Sequence, residues 1–331
     1  MEEIIILGYY WCVNMSAAEE SESDAMQRCA SCGKAGSTGS YDIKLKRCNA
    51  CYLVRYCSVK CQRDHRPKHK KECKKRAAEL RDEILFKQPE SSHLGDCPIC
   101  CLPVPIDPSK SILNSCCGKR ICRGCKHANQ KREIEARLQQ KCPFCRKVMP
   151  HTDEEWDGRL MKRIEANDPV AICFMGVERY KKGNYNAAFD YWTRAAALGD
   201  AHAHYQLSVL YHTGQGVEKD EKKFLHHLTE AAIGGHPDAR YNLGCLETQK
   251  GQYDRAVKHL MIAAKLGFDP SLNSVKELHK AGHVSKDDFT EALRGYQAAI
   301  EETKSPQREE SAEFARHAAD RERRGIYFPP I

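Results

Sequence analysis

No apolar run in this 331-residue chain is long enough to cross a bilayer. The longest, residues 4–11, covers about one-third of the ~20 residues that a spanning helix needs. It follows Glu2 and Glu3 rather than the basic residues that open a secretory signal. The expectation is a chain neither exported nor inserted in a membrane, cytoplasmic or nuclear in location. Gly-rich phosphate loops and Gly-x-Ser-x-Gly elbows are missing as well, which removes the sequence grounds for kinase, hydrolase or oxidoreductase chemistry. Apolar side chains are scarcest over residues 28–76, where Ile43, Leu45, Leu53, Val54 and Val59 are the only Ile, Leu, Val or Phe, far too few for a self-sufficient core. Residues 1–27 pair a short apolar start with an acidic, small-residue stretch at 16–24 and are expected to be a disordered lead. Met15 or Met26 would serve equally well as the start.

Cysteine, by contrast, is abundant, with nineteen in the chain. In a chain that is not exported, paired Cys-x-x-Cys spacing argues for metal rather than disulfides. The first run reads Cys29-x2-Cys32, Cys48-x2-Cys51, Cys57-x3-Cys61 and His69-x3-Cys73; the second reads Cys97-x2-Cys100, Cys116-Cys117, Cys122-x2-Cys125 and Cys142-x2-Cys145. Each run supplies four ligand pairs, enough for two tetrahedral Zn²⁺ ions, so four ions are expected in all. Zinc replaces the missing core: one structural Zn²⁺ provides on the order of 10–16 kcal/mol in finger peptides, more than the net stability of most small domains. Cys12, Cys101, Cys173 and Cys245 fall outside the runs and read as small core or surface thiols.

The first run, with Tyr56-Cys57-Ser58 and Cys61-Gln62 inside it, closely resembles the MYND finger. That resemblance implies a cross-brace in which Cys29, Cys32, Cys57 and Cys61 hold one zinc and Cys48, Cys51, His69 and Cys73 the other. It also implies a protein-interaction module, in several members a groove for proline-rich peptides beside the helix that carries Gln62. Many members have Asp-Trp where this chain has His65-Arg66, so the aromatic wall for a proline ring is missing. Residues 44–81 carry fourteen Lys or Arg against three Asp or Glu, which concentrates much of the formal charge of +8. Such a basic surface raises nucleic-acid binding as an alternative, without a base-reading motif to support it.

The second run, through Cys97-Pro-Ile-Cys100, Cys122-Arg-Gly-Cys125 and Cys142-Pro-Phe-Cys145 followed by Arg146, resembles an all-cysteine RING domain. The family's cross-brace pairs Cys97, Cys100, Cys122 and Cys125 on one ion and Cys116, Cys117, Cys142 and Cys145 on the other. Cys116 and Cys117 are adjacent, and Lys119 stands where many members place a histidine; protonated lysine is a poor zinc ligand. Both cysteines are therefore assigned, with His127 or Cys101 as a substitute. The RING resemblance implies ubiquitin transfer by orientation, without a nucleophile in this chain. Ile99 and Pro143 occupy the positions that dock a ubiquitin-conjugating enzyme, and Arg146 the position that holds ubiquitin. No tryptophan lies between Cys125 and Cys142, a further departure from the family.

The remaining sequence is helical in pattern. Residues 74–87 favour a helix with Ala77, Leu80 and Ile84 on one side, broken by Pro89, and residues 151–167 suggest a connecting helix with Trp156, Leu160 and Ile164 at four-residue steps. From residue 168 an internal repeat sets in: Ala195-Ala196, Ala231-Ala232, Ala263-Ala264 and Ala298-Ala299 recur 36, 32 and 35 residues apart, and the first three pairs precede Gly199, Gly235 and Gly267. Small residues at these points are expected to let antiparallel helices pack closely. The helices predicted are 169–181 and 185–198, 201–213 and 221–233, 238–250 and 253–266, and 271–280 and 286–301 in a degraded fourth unit. With Ala171-x4-Gly176 echoed by Ala239-x4-Gly244, this pattern resembles the Sel-like relatives of tetratricopeptide repeats over 168–301, which implies a curved surface for binding proteins.

The fold class expected is multidomain: two small zinc-stabilised α+β modules followed by an all-α solenoid of helix-turn-helix repeats. The domains read as 1–27 lead, 28–88 MYND-like finger with trailing helix, 89–150 RING-like module, 151–167 connecting helix, 168–301 repeats and 302–331 charged tail. The function expected is a RING-type ubiquitin ligase that recruits a conjugating enzyme and selects protein substrates through its repeats. The alternatives are a non-catalytic scaffold and a basic nucleic-acid-associated regulator.

Overall fold

The computed structural model describes residues 28–36 and 44–323; the acidic lead over 1–27 lies outside them. The chain divides into two units, Met1–Glu83 and Ile84–Ile331.

In the first unit β1 (Lys46–Arg47) pairs antiparallel with β2 (Arg55–Tyr56), Lys46 opposite Tyr56. The buried cluster is Cys29, Cys48, Cys51 and Tyr56, so sulfur replaces the aliphatic side chains that the sequence does not supply. α1 (Val59–Leu85) starts at Ser58, whose hydroxyl accepts from the Cys61 amide at 3.2 Å as an N-cap. It then runs through Pro67, joining the Gln62 helix to the one expected only from residue 74. Cys61, His65, His69 and Cys73 fall at four-residue steps along it and share a face.

In the second unit the cysteine-rich segment builds a hairpin of β3 (Ser111–Leu113) and β4 (Arg120–Cys122), with Ile112 opposite Ile121, that leads into α2 (Arg123–Glu135). Its core again mixes cysteine with a few aliphatics: Cys97, Val104, Ile121, Cys122, Cys125 and Cys142.

The helical array follows with α3 (Asp153–Glu165), α4 (Pro169–Lys181), α5 (Tyr185–Ala197), α6 (Ala201–Thr213), α7 (Glu221–Ile233), α8 (Pro237–Gln249), α9 (Tyr253–Lys265), α10 (Asp269–Lys280) and α11 (Lys286–Glu302). Each boundary lies within two residues of the pattern-based expectation, because alanine and leucine periodicity marks every buried face. The alanine pairs of α5, α7 and α9 are all buried, which allows close antiparallel packing. Gly199, Gly235 and Gly267 do something different from the packing role expected of them. They hold φ of 85°, 79° and 86°, left-handed values at the turn between units that only glycine adopts without steric cost. The fourth pair does not repeat the pattern: Ala298 is exposed, and Ala292 is the buried alanine of α11.

The charged tail expected from 302 onward is helical over α12 (Pro306–Arg323), which packs on α2. Arg308 donates to the carbonyls of Pro103 at 2.8 Å and Leu102 at 3.2 Å, and to Cys100 Sγ at 3.4 Å; Lys131 pairs with Glu310 at 2.7 Å. No helix among the described residues is long and apolar enough to cross a membrane.

Candidate metal centres

Four Cys-x-x-Cys turns share one backbone geometry. At each, the amide of the first cysteine bonds a carbonyl five or six residues on, and the residue just after the second cysteine returns its amide to the first cysteine's carbonyl. The returning bonds are Gly33 to Cys29 at 2.9 Å, Tyr52 to Cys48 at 3.0 Å, Cys101 to Cys97 at 2.8 Å and Arg146 to Cys142 at 3.0 Å. The returning residue has positive φ in every case: 72°, 56°, 54° and 61°. Such a knuckle brings two sulfurs to one side of a tight turn and leaves nearby amides available to them.

These turns, α1, the second hairpin and α2 collect the sixteen predicted ligands into four groups of four: Cys29, Cys32, Cys57 and Cys61; Cys48, Cys51, His69 and Cys73; Cys97, Cys100, Cys122 and Cys125; Cys116, Cys117, Cys142 and Cys145. Within each, the ligand atoms lie within 4.8 Å of one another. Observed separations include 3.6 Å for Cys32 to Cys57, 3.8 Å for Cys48 to Cys73, 3.9 Å for Cys100 to Cys122 and 3.9 Å for Cys117 to Cys142. A zinc–sulfur bond of about 2.3 Å places tetrahedral sulfurs about 3.8 Å apart, whereas a disulfide needs about 2.05 Å. The donor sets and their spacing therefore fit zinc.

The electrostatics call for a cation. Cys97 is held down at about 4 by the thiol of Cys122 and, against the opposing effect of burial, by the amides of Cys122, Cys100 and Ile99. Its partner Cys122 is pushed well up by the same thiol contact and by burial. In the first unit burial works to raise the Cys29 thiol, yet the surrounding amides of Cys32, Cys57 and Ser31 bring it to about 6, while its neighbour Cys57 is raised to about 12, chiefly by the thiols of Cys61 and Cys32. Four thiols in contact cannot all ionise without a positive charge among them.

Both adjacent cysteines, Cys116 and Cys117, join one group. The two substitutes lie elsewhere: His127 packs its ring on Phe314 of α12, with centroids 4.9 Å apart, and Cys101 is the exposed left-handed residue of its knuckle. Cys101→Gly is accordingly expected to leave the zinc content unchanged and to raise stability by roughly 0.5–1 kcal/mol through relief of the left-handed backbone. Elemental analysis and thermal denaturation check both parts.

Two residues around the ligands make contacts that the sequence alone does not anticipate. Arg146 does not project freely: its guanidinium donates to Asn129 Oδ1 at 3.0 Å and lies 3.4 Å from the buried carboxylate of Glu133, which also accepts from the Lys141 amide at 3.1 Å. Arg146 thus ties the last knuckle to α2. His65 accepts or donates at 3.0 Å with Tyr56 Oη and stacks on the ligand His69, so it supports the metal ligand and supplies no groove wall. Ile99 is 41% exposed on the first knuckle of the second unit, and Phe144, which the motif did not single out, is 42% exposed beside the half-buried Pro143 on the last.

Comparison with known proteins matches residues 29–73 to the MYND finger and residues 169–200, 201–236 and 237–268 to the Sel1 repeat. DAP3-binding cell death enhancer 1 of Mus musculus is 27% identical over 196 residues, and the protein of the same name from Rattus norvegicus is 35% identical over 196 residues. Each alignment takes in 47% of this chain and 38% of the relative, so the chain spans about two-fifths of the length of these relatives. Among solved structures, c5321, a protective antigen of uropathogenic Escherichia coli with an SLR fold, aligns at 28% identity and a TM-score of 0.36 over 44% of this chain and 33% of its own. A Sel1 repeat protein from Oxalobacter formigenes aligns at 24% identity and a TM-score of 0.41 over 55% and 81%. The chain therefore joins a zinc-binding MYND finger to a solenoid of Sel1 repeats, the composition of a protein-interaction scaffold.

Proposed function

We infer that residues 97–145 are a RING-type module and that the chain is a ubiquitin ligase, with four zinc ions, two in each cysteine-rich module. The observation that carries this reading is the exposure of Ile99 on one knuckle and of Phe144, beside Pro143, on another. Two apolar side chains stand exposed on the knuckles of a cross-braced pair of four-sulfur groups, where they contribute to neither buried core. Ile99 and Pro143 dock the ubiquitin-conjugating enzyme in this proposal. Arg146, after the last ligand, serves ubiquitin orientation in addition to its bond to α2. Catalysis is positioning of a charged partner enzyme, and zinc supplies shape rather than a reactive water. The Sel1 repeats, with the MYND finger, select the substrate, and the name of the rodent relatives, which describes binding to another protein, agrees with protein partners for such repeats. A reducing cytoplasmic or nuclear location belongs to the same proposal.

Self-ubiquitination with a panel of conjugating enzymes is the test. Burying one isoleucine at an interface contributes about 1.5–3 kcal/mol, so Ile99→Ala is expected to lower chain formation roughly tenfold or more with zinc content intact. Arg146→Ala is expected to lower it as well, and its zinc content is measured alongside because the side chain also braces the last knuckle. No activity with any conjugating enzyme would leave the non-catalytic scaffold as the function. Salt-sensitive nucleic-acid binding that weakens when the exposed Lys70, Lys71, Lys74 and Lys75 of α1 are neutralised would favour the basic regulator instead.

A further inference from the structure

Outside the four cysteine groups, three histidines converge from three separate segments of the second unit. His93 comes from a turn in the linker before Cys97, His202 from the first turn of α6 and His236 from the residue that opens α8. One ring nitrogen of each lies within 4.8 Å of the others. The rings are stacked, His93 on His236 with centroids 4.2 Å apart and His202 on His236 at 5.2 Å, and together they line a wall of a cavity of about 970 Å³.

Local rules do not account for His236. At the corresponding position of the two preceding units stand Asp168 and Asp200, whose carboxylates cap α4 and α6 by accepting from Val170 and Ala203. His236 makes no side-chain cap to α8, a loss of about 1 kcal/mol relative to a good cap. A residue that breaks the pattern of its own repeat at a buried position points to a role beyond helix formation. The linker is fixed in the same way: the His93 amide donates to the Gly235 carbonyl at 3.1 Å, and a side chain at Gly235 would meet the backbone of Ser91.

The chemistry is that of an imidazole metal site. His202 Nδ1 and His236 Nε2 are 3.0 Å apart, near the ~3.3 Å edge of a tetrahedron with zinc–nitrogen bonds of about 2.0 Å. Their other nitrogens face polar side chains: the Gln206 amide nitrogen lies 3.0 Å from His202 Nε2, and Asp238 Oδ2 lies 3.7 Å from His236 Nδ1. His93 Nδ1 is buried with no hydrogen-bond partner. Burial, joined by the neighbouring imidazoles and Arg120, keeps the cluster neutral at physiological pH, with His93 lowered to about 3 and His202 to about 4, so lone pairs are free for a metal. Asp200 and Asp238 line the same cavity, and Asp200 offsets the charge of Arg120.

We propose that His93, His202 and His236 form a fifth metal site, for a divalent ion of the zinc class, which pins the linker ahead of the RING-type module to the Sel1 repeats and leaves its fourth position open to the cavity. Because the rings are stacked, seating the ion requires a turn about the soft χ2 torsion of at least one of them.

The test compares zinc bound per chain by native mass spectrometry in the full-length protein and in His236→Asn, purified with Zn²⁺ as the only added metal. Asparagine restores a cap to α8, so this variant is expected to fold and to bind one ion fewer. X-ray absorption of the zinc-loaded wild type provides a second measurement that needs no variant: the average zinc shell must contain more imidazole than the single ligand His69 supplies. Equal zinc counts in the two proteins, or an imidazole content accounted for by His69 alone, overturn the proposal and leave the cluster as a neutral hydrogen-bonded stack.

Discussion

Removing the metal with a chelator is expected to unfold residues 28–73 and 95–149 while α3 to α11 stay folded. The two cysteine-rich modules bury few aliphatic side chains, Val104, Leu113 and Ile121 among them, and their remaining cores are sulfur. Without a cation, thiols in contact either ionise against one another or stay neutral and bind weakly, so the ~10–16 kcal/mol that each structural zinc provides has no substitute. The repeats bury Trp192, Leu207 and Leu210 in one apolar cluster, Leu228 in a second and Leu260 in a third, none of which includes a cysteine ligand. Hydrogen exchange followed by mass spectrometry separates the two responses. Protection vanishes in the cysteine-rich segments and in α12, whose anchor Arg308 bonds the first knuckle, and persists in α4 to α9. Fingers that remain protected after all zinc has been removed would show that the sulfur clusters are not the source of their stability.

Trp192→Ala is expected to destabilise the repeats by about 3–5 kcal/mol, the usual loss for truncating a large buried aromatic. Trp192 is 1% exposed on α5, donates from Nε1 to the Cys173 carbonyl at 3.2 Å and packs against Tyr180 with centroids 5.6 Å apart. Gly176 on α4 makes the space for it: a methyl group there would fall against the indole ring. Gly176→Ala is therefore expected to cost about 1–3 kcal/mol from the other side of the same contact, and the two substitutions are expected to be non-additive because they act on one packing site. Thermal or urea denaturation followed at 222 nm measures each, and a loss below about 1 kcal/mol for Trp192→Ala would contradict the packing described.

Much of this architecture was legible in the sequence because its signals are local. Cys-x-x-Cys spacing encodes a knuckle within six residues, and an alanine pair recurring every 32–36 residues encodes a helix pair whose neighbours are adjacent in the chain. What escaped depends on distant partners. The helix through Pro67 runs on because α1 carries three ligands, Cys61, His69 and Cys73, on one side. The charge of residues 306–323 concealed a helix whose anchoring contacts are made by Arg308 and Glu310, not by an apolar stripe. The place of Arg146 after the last ligand marks it as the ubiquitin-holding residue and gives no sign of its partners Asn129 and Glu133, which come from α2. The histidine cluster had no motif at all, since its members stand 109 and 34 residues apart (93 to 202, then 202 to 236). The one sequence trace was a histidine in the slot where earlier repeats carry a capping aspartate.

The bond from Arg308 back to Cys100 closes a span of 208 residues. A ribosome adding ~5–20 residues per second completes the second cysteine-rich segment, at Cys145, roughly 8–33 s before it reaches Arg308. During that interval Gly124, against which the Arg308 backbone otherwise packs, and the Cys100 loop lack this cover, and the nascent module acquires that contact only after the entire solenoid has been made.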